Sequence, residues 1–397
     1  MCIRDSYISG FLQGIALVLY PAAGNIFTSE SYHGLSSAEF GLLFTPQIIF
    51  AILSSLSAPK LAERYSMKKV LSFGLMANLG AMLFFAASTF CIGVSSLPFW
   101  ALMAGTACLG AGFGFTITAL NPFAFSLFPG KEASAVTGMH IFLGLGTTVS
   151  ALLLTAFQNS GFWWGAGLLM AAAFFIILLF MLPTPLSIPK TEDNQTEDSQ
   201  QKIPLRVWLF AFVIFLYAFS EATFGNWGSI YLEKEAGLTV GQAALGLSIF
   251  WGAITAGRVI FTLLALRFNT KILYLIAPFL VALVFFFMPS LEGANANLAA
   301  MALGGLGLSF FFPYTISLAT EEFPQYAAIV SGALVAAIQV GTGISTNITG
   351  FMNKSFSLAN IFQMSSVLAI AAGVLVLVMH FSQQKQPLGK ETILESN

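Results

Sequence analysis

Charged residues are scarce in this chain of 397 residues: 16 are basic and 17 acidic, 8% in all, whereas soluble proteins carry roughly 25%. Hydrophobic residues make up 57%. A water-soluble globule of this composition would lack the polar surface needed to cover its apolar side chains, so a soluble fold is excluded. The net charge of -1 and the lack of a long basic run argue against nucleic-acid binding.

Cysteine is also rare, with Cys2, Cys91 and Cys108 widely separated in the sequence. There is no C-x-x-C pair and no accompanying histidine cluster, so neither a disulfide framework nor a metal site is predicted, and no cofactor is implied. No nucleophile and base occur at a spacing typical of a catalytic pair. The sequence therefore does not predict an enzyme.

Long apolar segments fill most of the chain. Each is close to the roughly 20 residues that a helix needs to cross a bilayer, and none alternates strictly as a barrel strand does. The sequence predicts an all-α membrane protein with twelve transmembrane helices, at 7–27, 39–58, 70–91, 98–128, 133–157, 162–183, 206–232, 240–266, 271–290, 296–320, 326–351 and 358–381.

The basic residues predict the orientation, because Lys and Arg accumulate in cytoplasmic loops. With the N-terminus inside, only Lys234 and Lys354 lie outside, and Arg258 lies within a span. All other basic residues are then cytoplasmic. We therefore expect both termini in the cytoplasm.

The polar segment 184–205, which contains TEDNQTEDSQQK, is predicted to be a flexible cytoplasmic linker. It separates a six-helix bundle at 1–183 from a second at 206–381, followed by a tail at 382–397. The bundles share a weak repeat, LAERYSMK at 61–68 and LALRFNTK at 264–271. Parallel repeats of six helices are typical of alternating-access transporters.

The loop at 59–69, PKLAERYSMKK, resembles the cytoplasmic loop between helices two and three of the major facilitator superfamily. Its glycines are replaced by Pro59 and Ser66. Glu63, Arg64 and Lys68 in this loop are candidates for a gating latch between neighbouring helix ends. The alternative is that its basic residues only anchor the loop in the cytoplasm.

A more specific resemblance is to the fucose permease branch of that superfamily, the sugar-proton symporters. It extends over most of the chain and implies the major facilitator fold. The matching residues are Gly10-Phe11, Asn121-Pro122-Phe123, Trp227, Tyr231, Gly257-Arg258 and Pro313 with Ser317-Leu318.

Two departures bear on the mechanism. In the fucose permeases, acidic residues in spans one and four couple transport to protons; the matching positions here are Gly14 and Ile117. Neither can carry a proton. The resemblance therefore does not transfer the substrate or the coupling pair to this chain.

Three ionisable residues lie within predicted spans, where such residues are costly and usually face a cavity or pair with one another. Glu221 and Arg258 are either a structural ion pair or a coupling pair, with Glu221 as proton carrier. His140, where the fucose permeases have a glutamine, is a candidate for both binding and coupling. The alternative for His140 is a satisfied polar group near a helix end.

Neutral polar and aromatic residues supply the remaining substrate-binding candidates. Amides can donate to and accept from sugar hydroxyls, and an aromatic face can stack on the ring. The alternative is that these residues only join neighbouring helices. The candidates are Gln13, Gln47, Asn121, Trp227, Trp251, Gln339 and Thr342.

The function predicted from the sequence is secondary transport of a small polar solute, such as a sugar or related hydroxylated compound. Protons are the candidate coupling ion, and we expect a monomeric multi-pass protein of the bacterial inner membrane. One alternative is an exporter of drugs or metabolites on the same fold. Exporters of this superfamily usually carry a Gly-Pro signature in span five, and its absence from 144–148 disfavours this alternative. Another is a membrane sensor or scaffold that transports nothing.

Overall fold

The computed structural model describes residues 3–127, 132–181 and 203–384. This part of the chain is helical apart from short turns. The helices are α1 (Ile3–Ala22), α2 (Gly24–Phe27), α3 (Ser37–Leu42), α4 (Phe44–Arg64), α5 (Met67–Ala87), α6 (Leu97–Leu127), α7 (Glu132–Asn159), α8 (Gly165–Met181), α9 (Leu205–Lys234), α10 (Val240–Ala265), α11 (Lys271–Phe287), α12 (Ala294–Leu308), α13 (Phe311–Glu322), α14 (Ala327–Met352) and α15 (Leu358–Gln384).

Eleven helical segments in the described residues are long and apolar enough to cross a membrane. They coincide with eleven of the twelve predicted spans. The remaining prediction, 162–183, corresponds to α8, an apolar helix of 17 residues that is shorter than the others. The all-helical prediction is confirmed and the described residues supply eleven full spans. Of the predicted linker at 184–205, residues 184–202 lie outside the described residues.

The helix pairings follow the same order in residues 3–181, here called the first part, and in residues 203–384, the second part. In the first part α1 packs on α7, α4 on α6, and α5 on α8. In the second, α9 packs on α14, α10 on α12, and α11 on α15. The two parts meet where α7 packs on α10 and α4 on α14.

Glycines allow these helices to approach closely. A Cβ added at Gly14 would lie 2.0 Å from the carbonyl oxygen of Leu143, and one at Gly146 would lie 2.0 Å from that of Phe11. Gly110 makes the same kind of approach to Gln47 between α6 and α4. Small residues at such contacts let the backbones approach closely and so increase van der Waals packing. This packing drives helix association in a membrane, because apolar side chains gain little by leaving equally apolar lipid.

Hydrogen bonds join the two parts at one end of the molecule, here called the closed end: residues 24–41 with 229–235 and 346–353. Asn25 donates to the carbonyl oxygen of Ser229 at 3.3 Å, and Lys234 donates to Thr28 Oγ1 at 2.8 Å. Asn353 donates to Ser37 Oγ at 2.8 Å. At the other end of α14, a Cβ added at Gly332 would meet no atom of another helix within 4 Å among the described residues. The closed end therefore holds the two parts together.

Candidate functional site

Glu221 and Arg258, the two opposite charges predicted within the membrane, are connected through a tyrosine. Tyr217, one turn before Glu221 on α9, donates its hydroxyl hydrogen to Glu221 Oε2, and the same hydroxyl faces the Arg258 guanidinium. Among the described residues Glu221 and Arg258 do not form a direct ion pair. The structure therefore links the Glu221 carboxylate to the Arg258 guanidinium through the Tyr217 hydroxyl, and not through the direct ion pair that was one alternative from the sequence.

The guanidinium of Arg258 is held by a break in the helix that faces it. Pro313 has no N–H, so the carbonyl oxygen of Ser309, four residues earlier, loses its helical partner. The chain is interrupted between α12 and α13 at this point, and Arg258 Nε donates to that oxygen at 3.0 Å. Gly257 lets α10 come this close, because a Cβ there would lie 2.4 Å from Ser309 Oγ.

His140 lies across the boundary between the two parts from Arg258. Both line a cavity of about 160 Å³, together with Thr255 and Thr262 of α10. α7 reaches α10 here because Gly144 has no side chain: a Cβ would lie 2.4 Å from Thr255 Oγ1. The structure thus brings His140 and Arg258 together, as a site shared by both parts requires.

Three of the predicted binding residues carry a buried polar atom with no hydrogen-bond partner among the described residues. Gln47, through its Oε1, and Trp251, through its Nε1, are half-buried, whereas the third, Trp227 with its Nε1, is fully buried. Gln339 is half-buried and its amide has no hydrogen-bond partner among the described residues. A buried polar group without a partner costs roughly 1–3 kcal/mol, and a hydrogen bond from a hydroxylated ligand to Gln47 or Trp251 would remove that cost. Thr342 lies one turn from Gln339 on α14 and is also half-buried.

The other predicted binding residues are placed differently. Gln13 is fully buried and exchanges two hydrogen bonds with Asn78, at 2.6 and 3.3 Å, so its amide joins α1 to α5. Trp227 is fully buried at the closed end, where its ring meets Phe40 edge to face at 5.0 Å. The side chain of Asn121 lies outside what the structure describes.

The loop residues lie at the junction of α4 and α5. Glu63 and Arg64 are exposed in the last turn of α4, and Lys68 is in the first turn of α5. Tyr65 between them receives two cations: the Arg64 guanidinium and the Lys69 ammonium each lie 5.3 Å from its ring centre. These contacts are local to the loop, and the latch stays a prediction.

Several polar side chains that are not among the predicted binding residues join α9 to α14. Asn226 donates to Thr346 Oγ1 at 2.8 Å, and Thr223 pairs with Ser345 at 3.2 Å. These residues are small and polar within apolar spans, which is the only signal that the sequence offers. Tyr217 was missed for a similar reason, because a tyrosine within a span does not stand out among so many aromatic residues.

The structure also gives a reason for one departure from the fucose permeases. Gly14 faces the backbone of α7, and a side chain there would meet the carbonyl oxygen of Leu143. An acidic residue cannot be accommodated at this position with α1 and α7 so close. The loss of the acidic group and the packing of these two helices are therefore linked.

Comparison with known proteins places the chain in a family. The model of the Major Facilitator Superfamily matches residues 6–346 and 210–393. A glucose/galactose transporter of Brucella abortus is 28% identical over 379 residues, which cover 90% of this chain and 88% of the relative. The glucose/mannose transporter GlcP of Bacillus subtilis is 20% identical over 412 residues, 98% of each protein.

Solved structures share the fold over nearly the whole chain. The nucleoside transporter NupG has a TM-score of 0.77 at 16% identity and covers 95% of this chain and 99% of its own. The fucose:proton symporter FucP of E. coli has a TM-score of 0.61 at 18% identity, with 95% and 98% covered. The resemblance derived from the motifs is thus confirmed. This multi-pass membrane protein belongs to the Major Facilitator Superfamily of transporters.

Proposed function

We propose that this protein is a secondary transporter of a monosaccharide of the glucose and galactose class, working by alternating access in the bacterial inner membrane. The curated relatives named for glucose, galactose or mannose support the substrate class. The proposal includes twelve spans, with α8 as the sixth, and both termini in the cytoplasm. The excess of basic residues at one side of the membrane supports that orientation.

The observation that carries the proposal is the set of unpartnered polar groups on helices of both parts. Gln47 Oε1 on α4 accepts hydrogen bonds, Trp251 Nε1 on α10 donates one, and the half-buried Gln339 amide on α14 does both. Sugar hydroxyls supply both donors and acceptors. A sugar held by both parts would be released when the parts move relative to each other, as alternating access requires.

The proposed coupling unit is Glu221 with Tyr217, Arg258 and His140. Glu221 is the proton carrier, and Arg258 stabilises its charge through Tyr217. His140 belongs to the first part and shares a cavity with Arg258. Movement of one part relative to the other therefore changes the electrostatic environment of Arg258 and Glu221. Intramembrane ionisable residues that pair across a cavity are typical of proton-coupled transporters.

The closed end supports an inward-facing conformation. In the proposed orientation residues 24–41 and 346–353 lie on the outer side, where hydrogen bonds join the two parts. The substrate would then leave towards the cytoplasm. Opening the closed end would give the outward-facing state.

Counterflow of radiolabelled glucose and galactose in proteoliposomes tests the substrate class, because counterflow needs no proton gradient. We expect exchange by the unmodified protein and a roughly tenfold higher KM in Trp251→Phe, which loses the indole N–H that donates to the sugar. Trp208→Phe is the matched control, since Trp208 is exposed on α9. No exchange of either sugar by the unmodified protein would refute the substrate class.

Uptake driven by a pH gradient tests the coupling separately. Glu221→Gln should keep counterflow and lose proton-driven accumulation, because glutamine has no proton to release. Accumulation in this variant that still follows the pH gradient would remove Glu221 from the mechanism and leave the transport proposal intact.

A further inference from the structure

A cleft with three basic side chains lies in the second part, away from Glu221. Arg206 of α9, Lys271 of α11 and His380 of α15 line it, and its wall includes the apolar Phe210 and Met379. Its volume is about 40 Å³, which is enough for about three water molecules or one small anionic group. None of the residues proposed to bind the sugar or to couple transport to protons lines this cleft.

The positive charge of the cleft is only partly neutralised. Arg206 forms an ion pair with Glu322 and also donates to Ser382 Oγ and to the Met379 carbonyl oxygen, each at 2.8 Å. These bonds fix its guanidinium at the edge of the cleft. Lys271 is half-buried, and its ammonium forms no ion pair among the described residues. One uncompensated cation therefore borders the cleft.

Exposed apolar side chains place this cleft at the membrane surface. Leu205 and Trp208, on either side of Arg206, are 76% and 53% exposed, and Leu266 and Phe268, shortly before Lys271, are 77% and 65% exposed. Large apolar and aromatic side chains that flank basic residues at helix ends are typical of the bilayer interface. The cleft thus opens at the level of the lipid headgroups.

We propose that this cleft binds the phosphate of an anionic phospholipid. Lys271 and Arg206 face the phosphate, while the apolar walls and the exposed side chains beside the cleft contact the acyl chains. A lipid is favoured over a soluble anion because the flanking residues lie in the interface, where basic pockets between helices bind acidic headgroups. Bound there, the lipid bridges α9, α11 and α15 at one end of the second part.

Native mass spectrometry of the full-length protein tests this site with phosphatidylglycerol. We expect retained lipid in the unmodified protein and about fivefold weaker retention in Lys271→Gln, the loss expected for one cation near the headgroups. Lys60→Gln is the matched control, because Lys60 is an exposed lysine on α4 outside the cleft. Retention by the unmodified protein should also weaken as ionic strength rises, which needs no variant.

Three results would overturn the proposal. One is equal retention of phosphatidylglycerol by Lys271→Gln and by the unmodified protein. Another is equal retention of phosphatidylcholine, whose headgroup carries no net charge. The third is displacement of the lipid by millimolar inorganic phosphate, which would identify a free anion as the ligand. None of these measurements depends on which solute is transported.

Discussion

Tyr217 is the residue through which the two opposite charges of the proposed coupling unit meet. Its ring stacks on Phe311 with 5.7 Å between centres, so the hydroxyl position is determined by packing around the helix break. It donates to Glu221 and faces Arg258. A carboxylate in the membrane interior needs such a donor, because no bulk water is available to replace it.

Tyr217→Phe should therefore reduce proton-driven sugar accumulation about tenfold and leave counterflow close to normal. The loss corresponds to one hydrogen bond to a buried charged group, roughly 1–3 kcal/mol. Tyr231→Phe is the control, because that hydroxyl donates to the Met288 carbonyl oxygen, remote from Glu221. Equal loss of counterflow and accumulation in Tyr217→Phe would instead indicate a role in substrate binding.

His33, in the connection between α2 and α3, is a second residue whose protonation state matters. Its Nε2 lies 3.0 Å from Ser88 Oγ, and its ring packs edge to face on Phe27 and Trp163. Burial lowers the pKa of His33 from 6.5 to about 4. The folded protein therefore binds fewer protons at this site than the unfolded chain between these two pH values.

The stabilisation from neutral His33 is complete above pH 6.5 and is lost as the pH falls towards 4. Thermal melts in detergent should show stability decreasing over this range, with a contribution of about 1–3 kcal/mol from His33 after solvent screening is considered. His33→Gln should be less stable at pH 7 and should show a shallower decrease. A slope identical to that of the unmodified protein would contradict the assignment.

At the scale of the helical element, the break between α12 and α13 determines where Arg258 lies. The sequence shows Pro313 within a predicted span, and proline predicts a bend. It does not show which group satisfies the released carbonyl of Ser309. That group comes from α10, 51 positions away along the chain.

Pro313→Ala restores an N–H that can bond to the Ser309 carbonyl oxygen. We expect a higher melting temperature, because the restored hydrogen bond can join α12 and α13, and slower transport, because Arg258 loses its acceptor. Pro278→Ala is the control for the removal of a proline away from the break, since Pro278 lies inside α11. Unchanged transport in Pro313→Ala would show that the break has no part in the cycle.

At the scale of the whole molecule, the closed end has to open if transport proceeds by alternating access. Ser37 and Asn353 come from different parts and are hydrogen bonded there. In a background without Cys2, Cys91 and Cys108, the pair Ser37→Cys and Asn353→Cys should form a crosslink on oxidation. Counterflow should then fall at least tenfold and recover on reduction, while each single cysteine variant stays active. Full counterflow by the crosslinked protein would contradict the need for opening at this end.

The sequence by itself determined that the chain lies in a membrane and is helical, because composition and span length depend only on which residues are present, and its motifs carried the resemblance to the family. It also identified Glu221, Arg258 and His140, since a charge in an apolar span is visible without coordinates. Only the tertiary structure decided which polar groups have partners: Gln13 is bonded to Asn78 and Arg258 to Ser309, whereas Trp251 Nε1 has none in the part of the chain that the structure describes. The physical reason is that these partners lie on other helices, so hydrogen bonding inside a membrane depends on packing that local sequence does not record.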